Sequence, residues 1–520
     1  MRTDFVPPPP TDSQLERLVA VAGDLGDRLR ELGFNSEGLA EALGPQGMTA
    51  LNRGEPAAVR FFLNASPRDE LRAAISLLVL GDPLAYPQVA ALLGDSMTEA
   101  LLGAGVLVAT AADELQVAID IRPVRVNGME RIVFSDRDAS MSMHVPGPEH
   151  VLGVGRASLS LLDIAPATAV NSVLDLGTGS GVLALGQSAS ENIVATDVHP
   201  RALIFARATF AANGLDHAQV RQGSWFEPVA GKRFDRIVAN PPFVVGPPNV
   251  EHVYRDSGLD LDGASALMVG AVHEHLTLGG TAHLLGAWVH IHGEHWQQRI
   301  ASWLPPEGLE VWVTQRDVAS PTDYIGTWLR DESIDPRSAI GQERSTRWLA
   351  HFDAAGVTGV GFGYITIQRI EGPTSLTCEE MPQPLAGPFA AEAEEYLARA
   401  EWLRGRSAAE ILAAKFQLRP SAALTTVSLA DAQLRQGFTA YETRLSRSDG
   451  PGWLHTIDEN LATVVSALHP EASLESIVDI VAMLGVFDEA QLPAIRQELV
   501  PLIVDLVRHG IVLPSELIGA

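Results

Sequence analysis

The chain has a single cysteine, Cys378, among 520 residues. That excludes an intramolecular disulfide and any cysteine-rich zinc or iron–sulfur centre, and it fits a reducing compartment. Basic residues are also scarce: 37 Lys and Arg stand against 64 Asp and Glu, leaving a formal net charge of −27. A protein whose main task is to coat a phosphate backbone carries a basic face, so this balance counts against that role for the chain as a whole. No uninterrupted apolar run approaches the ~18 residues that span a bilayer, and the opening MRTDFVPPPP lacks the apolar stretch of a secretory signal. The reading is a soluble, cytoplasmic protein with no membrane partner. What is present, 46% hydrophobic residues with 46 Gly and 33 Pro, is the composition of ordinary globular domains. At about 150 residues per domain, the length predicts roughly three of them.

The first third reads as mainly helical. Apolar residues at helical spacing, Leu15, Leu18, Ala22, Leu25 and Leu29, mark an amphipathic helix. Tyr86 to Gly103 reads as two short helices broken at Gly94-Asp95, followed by apolar runs from Val106 to Thr110 and from Leu115 to Ile121 about a polar turn. Helix, helix, hairpin is the winged-helix order. The second helix carries Glu99 and no Lys or Arg, so packing or protein contact is expected of it ahead of groove binding. From Val173 to about Ile367, short β-branched runs alternate with helical stretches, the pattern of a doubly wound α/β sheet, with an insertion between Thr314 and Gly359. The expected division is a helical domain with a winged-helix-like end over 1–140, an α/β domain over 141–370, a Pro- and Gly-rich linker over 371–390, and a helical domain over 391–520. The string from Leu492 resembles in layout the one from Tyr86: two helices, a glycine and an apolar strand.

Two motifs carry the chemistry. The first, from Val173 to Gly181, is an apolar strand, a turn with Gly177, Gly179 and Gly181, and a helix expected to begin near Ser180. Glycines let the backbone approach a ligand, and a helix N-terminus offers free N–H groups to an anion. The sixth position of the dinucleotide fingerprint is Val182 here, which departs from that pattern. The next strand ends in Asp197, where a carboxylate can accept both hydroxyls of a ribose. Glycine turn and ribose acid together point to a nucleoside-bearing cofactor.

The second motif, Ile237-Val-Ala-Asn-Pro-Pro-Phe243, ends another strand. Its prolines cannot join a ladder, and they hold Asn240 and Phe243 at the carboxyl edge of the sheet, where open α/β sheets bind ligands. The Asn240 oxygen and a nearby main-chain carbonyl can accept both hydrogens of a flat NH2 group while Phe243 stacks on its plane. Histidines recur from His273 to His295, including His290-x-His292, without a matching carboxylate or cysteine set. They read as packing or solvent-facing residues, and no metal is expected. The acidic stretch from Tyr254 to Asp262 reads as a loop beside the cleft.

The pair of motifs resembles the class I S-adenosylmethionine-dependent methyltransferases of the N-P-P-[YF] group. GSWFEPVAGKRFDRIVANPPF from Gly223 and VPGPEH from Val145 are similar to the protein-(glutamine-N5) methyltransferases that modify release factors, and N-P-P-F also occurs in ribosomal RNA guanine-N2 methyltransferases. The resemblance covers about Val145 to Ile300 and leaves both flanks uncovered. It implies a Rossmann-like sheet between helical flanks and S-adenosyl-L-methionine as cofactor. Asp175, Gly177 and Gly179, with Gly181 completing the turn, would cradle its methionine end, and Asp197 would bind its ribose. Asn240 with Pro241 would orient the acceptor amine. Where the group usually has an acid at the adenine, this chain has Ser224, so Trp225 or a backbone group would share that contact; where the glutamine enzymes usually have Tyr, it has Phe243. The expected activity is N-methylation of a planar amino group, with a protein or peptide glutamine ahead of a ribosomal RNA or DNA base. A cofactor-sensing scaffold is the alternative of another class.

Overall fold

The computed structural model describes residues 6–110, 112–137, 141, 147–248, 256–331, 334–383, 389–433 and 435–518. It divides into two compact units, Met1–Leu162 with Ala167–Glu380, and Asp163–Pro166 with Met381–Ala520. The position expected for a domain boundary near residue 140 lies inside the first unit.

Helix α1 (Asp12–Glu31) begins at Thr11, which forms a capping box with Gln14. Its face of Leu15, Leu18, Ala22, Leu25 and Leu29 is buried, as the spacing requires. Helices Tyr86–Leu93 and Asp95–Gly103 part at Gly94, whose φ of 90° suits only glycine well, and strands Leu107–Ala109 and Glu114–Val117 pair behind them. The apolar run through Ile121 does not continue as one strand. Ala118 turns its N–H back to the Val106 carbonyl, and a second hairpin, Ile119–Val126 with Met129–Asp136, follows.

The large sheet then builds from β1 (Ser172–Leu176), β2 (Asn192–Asp197), β3 (Gln219–Gln222), β4 (Phe234–Ala239), β5 (Leu276–Ile291), β6 (Glu307–Ala319), β7 (Val357–Pro373) and β8 (Ser375–Glu380). Its order is β3-β2-β1-β4-β5-β7-β6-β8, and β7 alone runs against its neighbours. This is the Rossmann-like sheet that the resemblance implies. The connections after β1 and β4 diverge between adjacent strands, which opens a crevice at their carboxyl ends. Helices of this part include α2 (Arg156–Leu162), α3 (Val182–Gly186), α4 (Pro200–Ala212), α5 (Pro321–Asp331) and α6 (Ala339–Ala354), the last two forming the expected insertion. Helix α3 starts two residues later than Ser180, because Gly181 at φ 88° is its N-cap. Part of the stretch read as a linker is strand β8, whose Leu376 and Cys378 pack against the sheet core.

Helix α4, which follows β2, meets α1. The α1 leucines share a core cluster with Phe205, Ala208 and Ala212 of α4, and a Cβ on Gly26 would stand 2.6 Å from the Ala212 carbonyl oxygen. Arg201, buried at the start of α4, donates from Nε to Asp136 at 2.8 Å and from Nη1 to the Pro10 carbonyl at 2.8 Å.

The second unit is not purely helical. Alongside helices Ala390–Leu403, Leu474–Met483 and Leu492–Arg508 it carries a three-stranded antiparallel sheet, β9 (Ala422–Ala430), β10 (Phe438–Arg447) and β11 (Leu454–Ile457). Leu492–Arg508 is one helix with Pro501 inside it, where the layout reading expected two. Among the described residues no helix is long and apolar enough to cross a membrane.

Candidate functional site

The crevice is a cleft of about 590 Å³ that receives the carboxyl ends of β1, β2 and β4, a size suited to a small-molecule or cofactor site. At its β1 end, Gly177 and Thr178 both donate their N–H groups to the Thr196 carbonyl, at 2.9 and 2.8 Å, which folds the turn over the end of β2. Gly177, Gly179 and Gly181 take φ of 73°, 54° and 88°, left-handed conformations that favour glycine. Gly177 and Gly179 line the cleft. Gly181 lies behind it, where a Cβ would come within 2.7 Å of the Phe210 ring, so its role is close packing of the turn on α4.

Asp175 is fully buried beneath the turn and does not line the cleft. Its Oδ2 accepts the Thr178 hydroxyl at 2.6 Å and the Ala184 N–H at 3.0 Å, tying turn and α3 together. Burial pushes its carboxyl up to about 7, with the two hydrogen bonds and nearby Asp197 as smaller influences. Asp197 stands at the cleft wall. Its Oδ2 accepts the Gly179 N–H and its Oδ1 the His199 N–H, each at 2.9 Å, so both oxygens are fixed while each retains a further acceptor position. Burial raises this carboxyl above the ordinary range, and the His199 and Gly179 hydrogen bonds oppose the rise.

Ser224 and Trp225 line the cleft where a base contact was expected. Gly223 donates its N–H to the Asp197 carbonyl at 3.0 Å, which binds this segment to the end of β2. Trp225 has φ 47°, a conformation costly for an aromatic residue and held by its surroundings at the cleft.

At the β4 end, Asn240, Pro241 and Phe243 all line the same cleft. The Asn240 side-chain N–H donates to Ser158 Oγ of α2 at 3.1 Å, an arrangement that fixes the amide's orientation and leaves its oxygen as the acceptor. Beyond the motif, the Val245 N–H donates to the Tyr324 hydroxyl at 2.6 Å, anchoring the loop to α5. That helix brings Trp328 and Asp331 to the cleft wall. Sequence reasoning missed Ser158, Trp328 and Asp331, since none stands in a motif and only chain packing places them here. Of the loop from Tyr254 to Asp262, Asp256 and Ser257 line the cleft, while Tyr254 lies outside the described residues, as does Val145. Asp262 is buried, accepts the Val289 N–H at 2.9 Å and pairs with both ends of the Arg299 fork.

The histidines have structural settings. His275 stacks on Phe226 at 4.4 Å between centroids, and His290 Nε2 lies 2.7 Å from Gln315 Oε1. His283 is fully buried in β5, and burial pushes it down to about 3, so its ring is neutral.

Residues 153–256, which hold the glycine turn, Asp197 and the Asn240 loop, match the family model described as Methyltransferase small domain. Residues 31–118 and 394–514 match two models described as Domain of unknown function, DUF7059 and DUF7782. The chain is 35% identical over 156 residues to the release factor glutamine methyltransferase of Xylella fastidiosa, covering 28% of this chain and 55% of that protein. It is 33% identical over 139 residues to the ribosomal RNA small subunit methyltransferase C of Sodalis glossinidius, covering 26% of this chain and 36% of that one. The chain thus spans about half, or less, of the length of these curated relatives. A solved structure of the T. thermophilus 16S rRNA N2 G1207 methyltransferase in complex with AdoMet and guanosine is 21% identical, covers 50% of this chain and 66% of that one, and has a TM-score of 0.26.

Proposed function

We propose that the chain is an S-adenosylmethionine-dependent N-methyltransferase whose acceptor is a planar amino group, the side-chain amide of a protein or peptide glutamine. The observation that carries this reading is the pairing of Asn240 with Ser158 in the cleft that also holds Asp197. A strand terminator has no need of an oriented amide in a cleft shared with a ribose-type acid.

The residues suit this cofactor. Asp197 offers two fixed carboxylate oxygens for a ribose. A Cβ added at Gly179 would meet no atom within 4 Å, so the backbone there is open to a ligand's close approach. When bound, the cofactor supplies a methyl group activated by its sulfonium. The protein's own residues then act on the acceptor. An amide nitrogen is a poor nucleophile because its lone pair is delocalised. Accepting its two N–H bonds on the Asn240 oxygen and the Pro241 carbonyl favours a localised lone pair, and Phe243 holds the plane, so orientation and proximity replace a strong base.

The preference for a protein acceptor rests on the −27 charge and on the similarity to release factor glutamine methyltransferases. The test is incubation of a cell lysate with the protein and cofactor carrying a labelled methyl, followed by separate protease and nuclease digestion. Label released by protease alone is the expected result. Release by nuclease alone assigns the acceptor to a nucleobase, and absence of label in every fraction favours the scaffold.

A further inference from the structure

The acceptor loop leans on the insertion between β6 and β7. Its Val245 N–H is held by the Tyr324 hydroxyl of α5 at 2.6 Å. A Cβ on Gly246 would come within 2.9 Å of the Trp348 ring, so this side chain of α6 lies directly on the loop backbone. Tyr324, Trp328 and Asp331 stand at i, i+4 and i+7, one face of α5. The face that anchors the loop at Tyr324 therefore continues, one turn further on, into the cleft at Trp328.

Among the described residues three Trp or Phe side chains line the cleft: Trp225, Phe243 and Trp328. Trp225 belongs to the cofactor end, where the neighbouring Gly223 is tied to Asp197. Phe243 and Trp328 both pack against one apolar cluster, which contains Val245 and Tyr324. Helix α5 buries Tyr324, Ile325 and Leu329 there, whereas Trp328 remains half-buried with part of its surface in the cleft. An indole so placed gives the cleft a rigid apolar surface that core packing has not used, and surfaces of this kind mark contact with a ligand.

We propose that Trp328 is a specificity-determining residue of the acceptor site. Its indole adjoins Phe243 to make one aromatic wall, on which the acceptor's flat group and the apolar atoms that carry it lie while Asn240 and Pro241 hold the amine. This deepens the acceptor reading above and rests on it. Trp328 contributes to acceptor binding and not to the transfer step, because orientation of the amine belongs to Asn240.

The test labels the full chain with fluorotryptophan and identifies the Trp328 fluorine signal as the one missing from Trp328→Phe. With S-adenosylhomocysteine present, the protein is titrated with N-acetylglutaminamide and, separately, with guanosine. The Trp328 signal is expected to shift with N-acetylglutaminamide. A shift with guanosine alone supports Trp328 as an acceptor contact and overturns the glutamine reading instead. A signal unmoved by either probe overturns the proposal. Kinetics give a second readout on whichever lysate fraction accepts labelled methyl. Trp328→Leu keeps apolar bulk against the cluster and removes the flat ring. It should raise the half-saturating concentration of that fraction about ten-fold, with maximal rate and cofactor affinity within about two-fold and Trp328→Phe restoring the value. An unmoved half-saturating concentration in folded Trp328→Leu overturns the specificity role. If Trp328→Leu fails to fold, the fluorine titration decides alone.

Discussion

The glycine turn and the acceptor loop share one cleft but are assembled on different length scales. In the turn, Asp175 holds Thr178 three positions away, and Gly179 reaches Asp197 across eighteen. At the acceptor end, Asn240 is oriented by Ser158 from eighty-two positions away, and Val245 is anchored by Tyr324 at seventy-nine. The turn is a property of the consecutive β1–α3–β2 segment, whereas the acceptor wall exists only once α2 and α5 have packed. Cofactor binding and acceptor chemistry should therefore respond separately to substitution.

Asn240→Ala gives the sharpest test of that separation. Turnover should fall by about two orders of magnitude, as when an acceptor acting on the transition state is removed, while calorimetric cofactor affinity stays within about a few-fold. Equal losses in both would merge the two ends into one functional unit. Asp197→Ala should do the reverse, weakening cofactor binding by about ten- to a hundred-fold through loss of charge-assisted hydrogen bonds. In the unaltered chain that affinity should decline on acidification, starting above the usual carboxylate range, because burial raises the Asp197 carboxyl and the protonated form is the weaker acceptor.

Ser158→Ala should lower turnover by about five- to ten-fold, the worth of one neutral hydrogen bond, with cofactor affinity unmoved and Ser158→Thr restoring the rate. A rise in the cofactor dissociation constant would show that α2 serves both ends. The last expected effect concerns stability and not activity. Asp175 binds its proton more tightly folded, up to about 7, than unfolded near 3.8. Its contribution is therefore greatest below pH 3.8 and is lost as pH rises toward 7. Asp175→Asn should flatten that part of the stability–pH curve in denaturant titrations; an unchanged slope would mean that the carboxyl is ionised throughout.

The same difference in scale explains what could be read from the residues alone. The alternation after Val173 announces the α/β sheet, and both motifs sit at the strand ends where they were expected. The fate of Asp175 was hidden because a motif names residue types and not the side of the turn on which each lies. Ser158, Trp328 and Asp331 were hidden because they meet the cleft through tertiary packing. Strand β8 went unseen behind Pro373 and Gly372, which imitate a linker, and the sheet β9-β10-β11 was masked by the helices around it.

The packing of α1 against α4 has a thermodynamic consequence. The helix that follows the Asp197 loop draws its buried face from Leu15 to Leu29, and Arg201 at its first turn is held by Asp136 and the Pro10 carbonyl. Neither partner can melt without uncovering the other, so α1, α4 and the glycine turn between β1 and α3 should lose structure in a single cooperative step. Shortening the chain from its start would then be read as loss of cofactor binding, even though no residue of α1 lines the cleft.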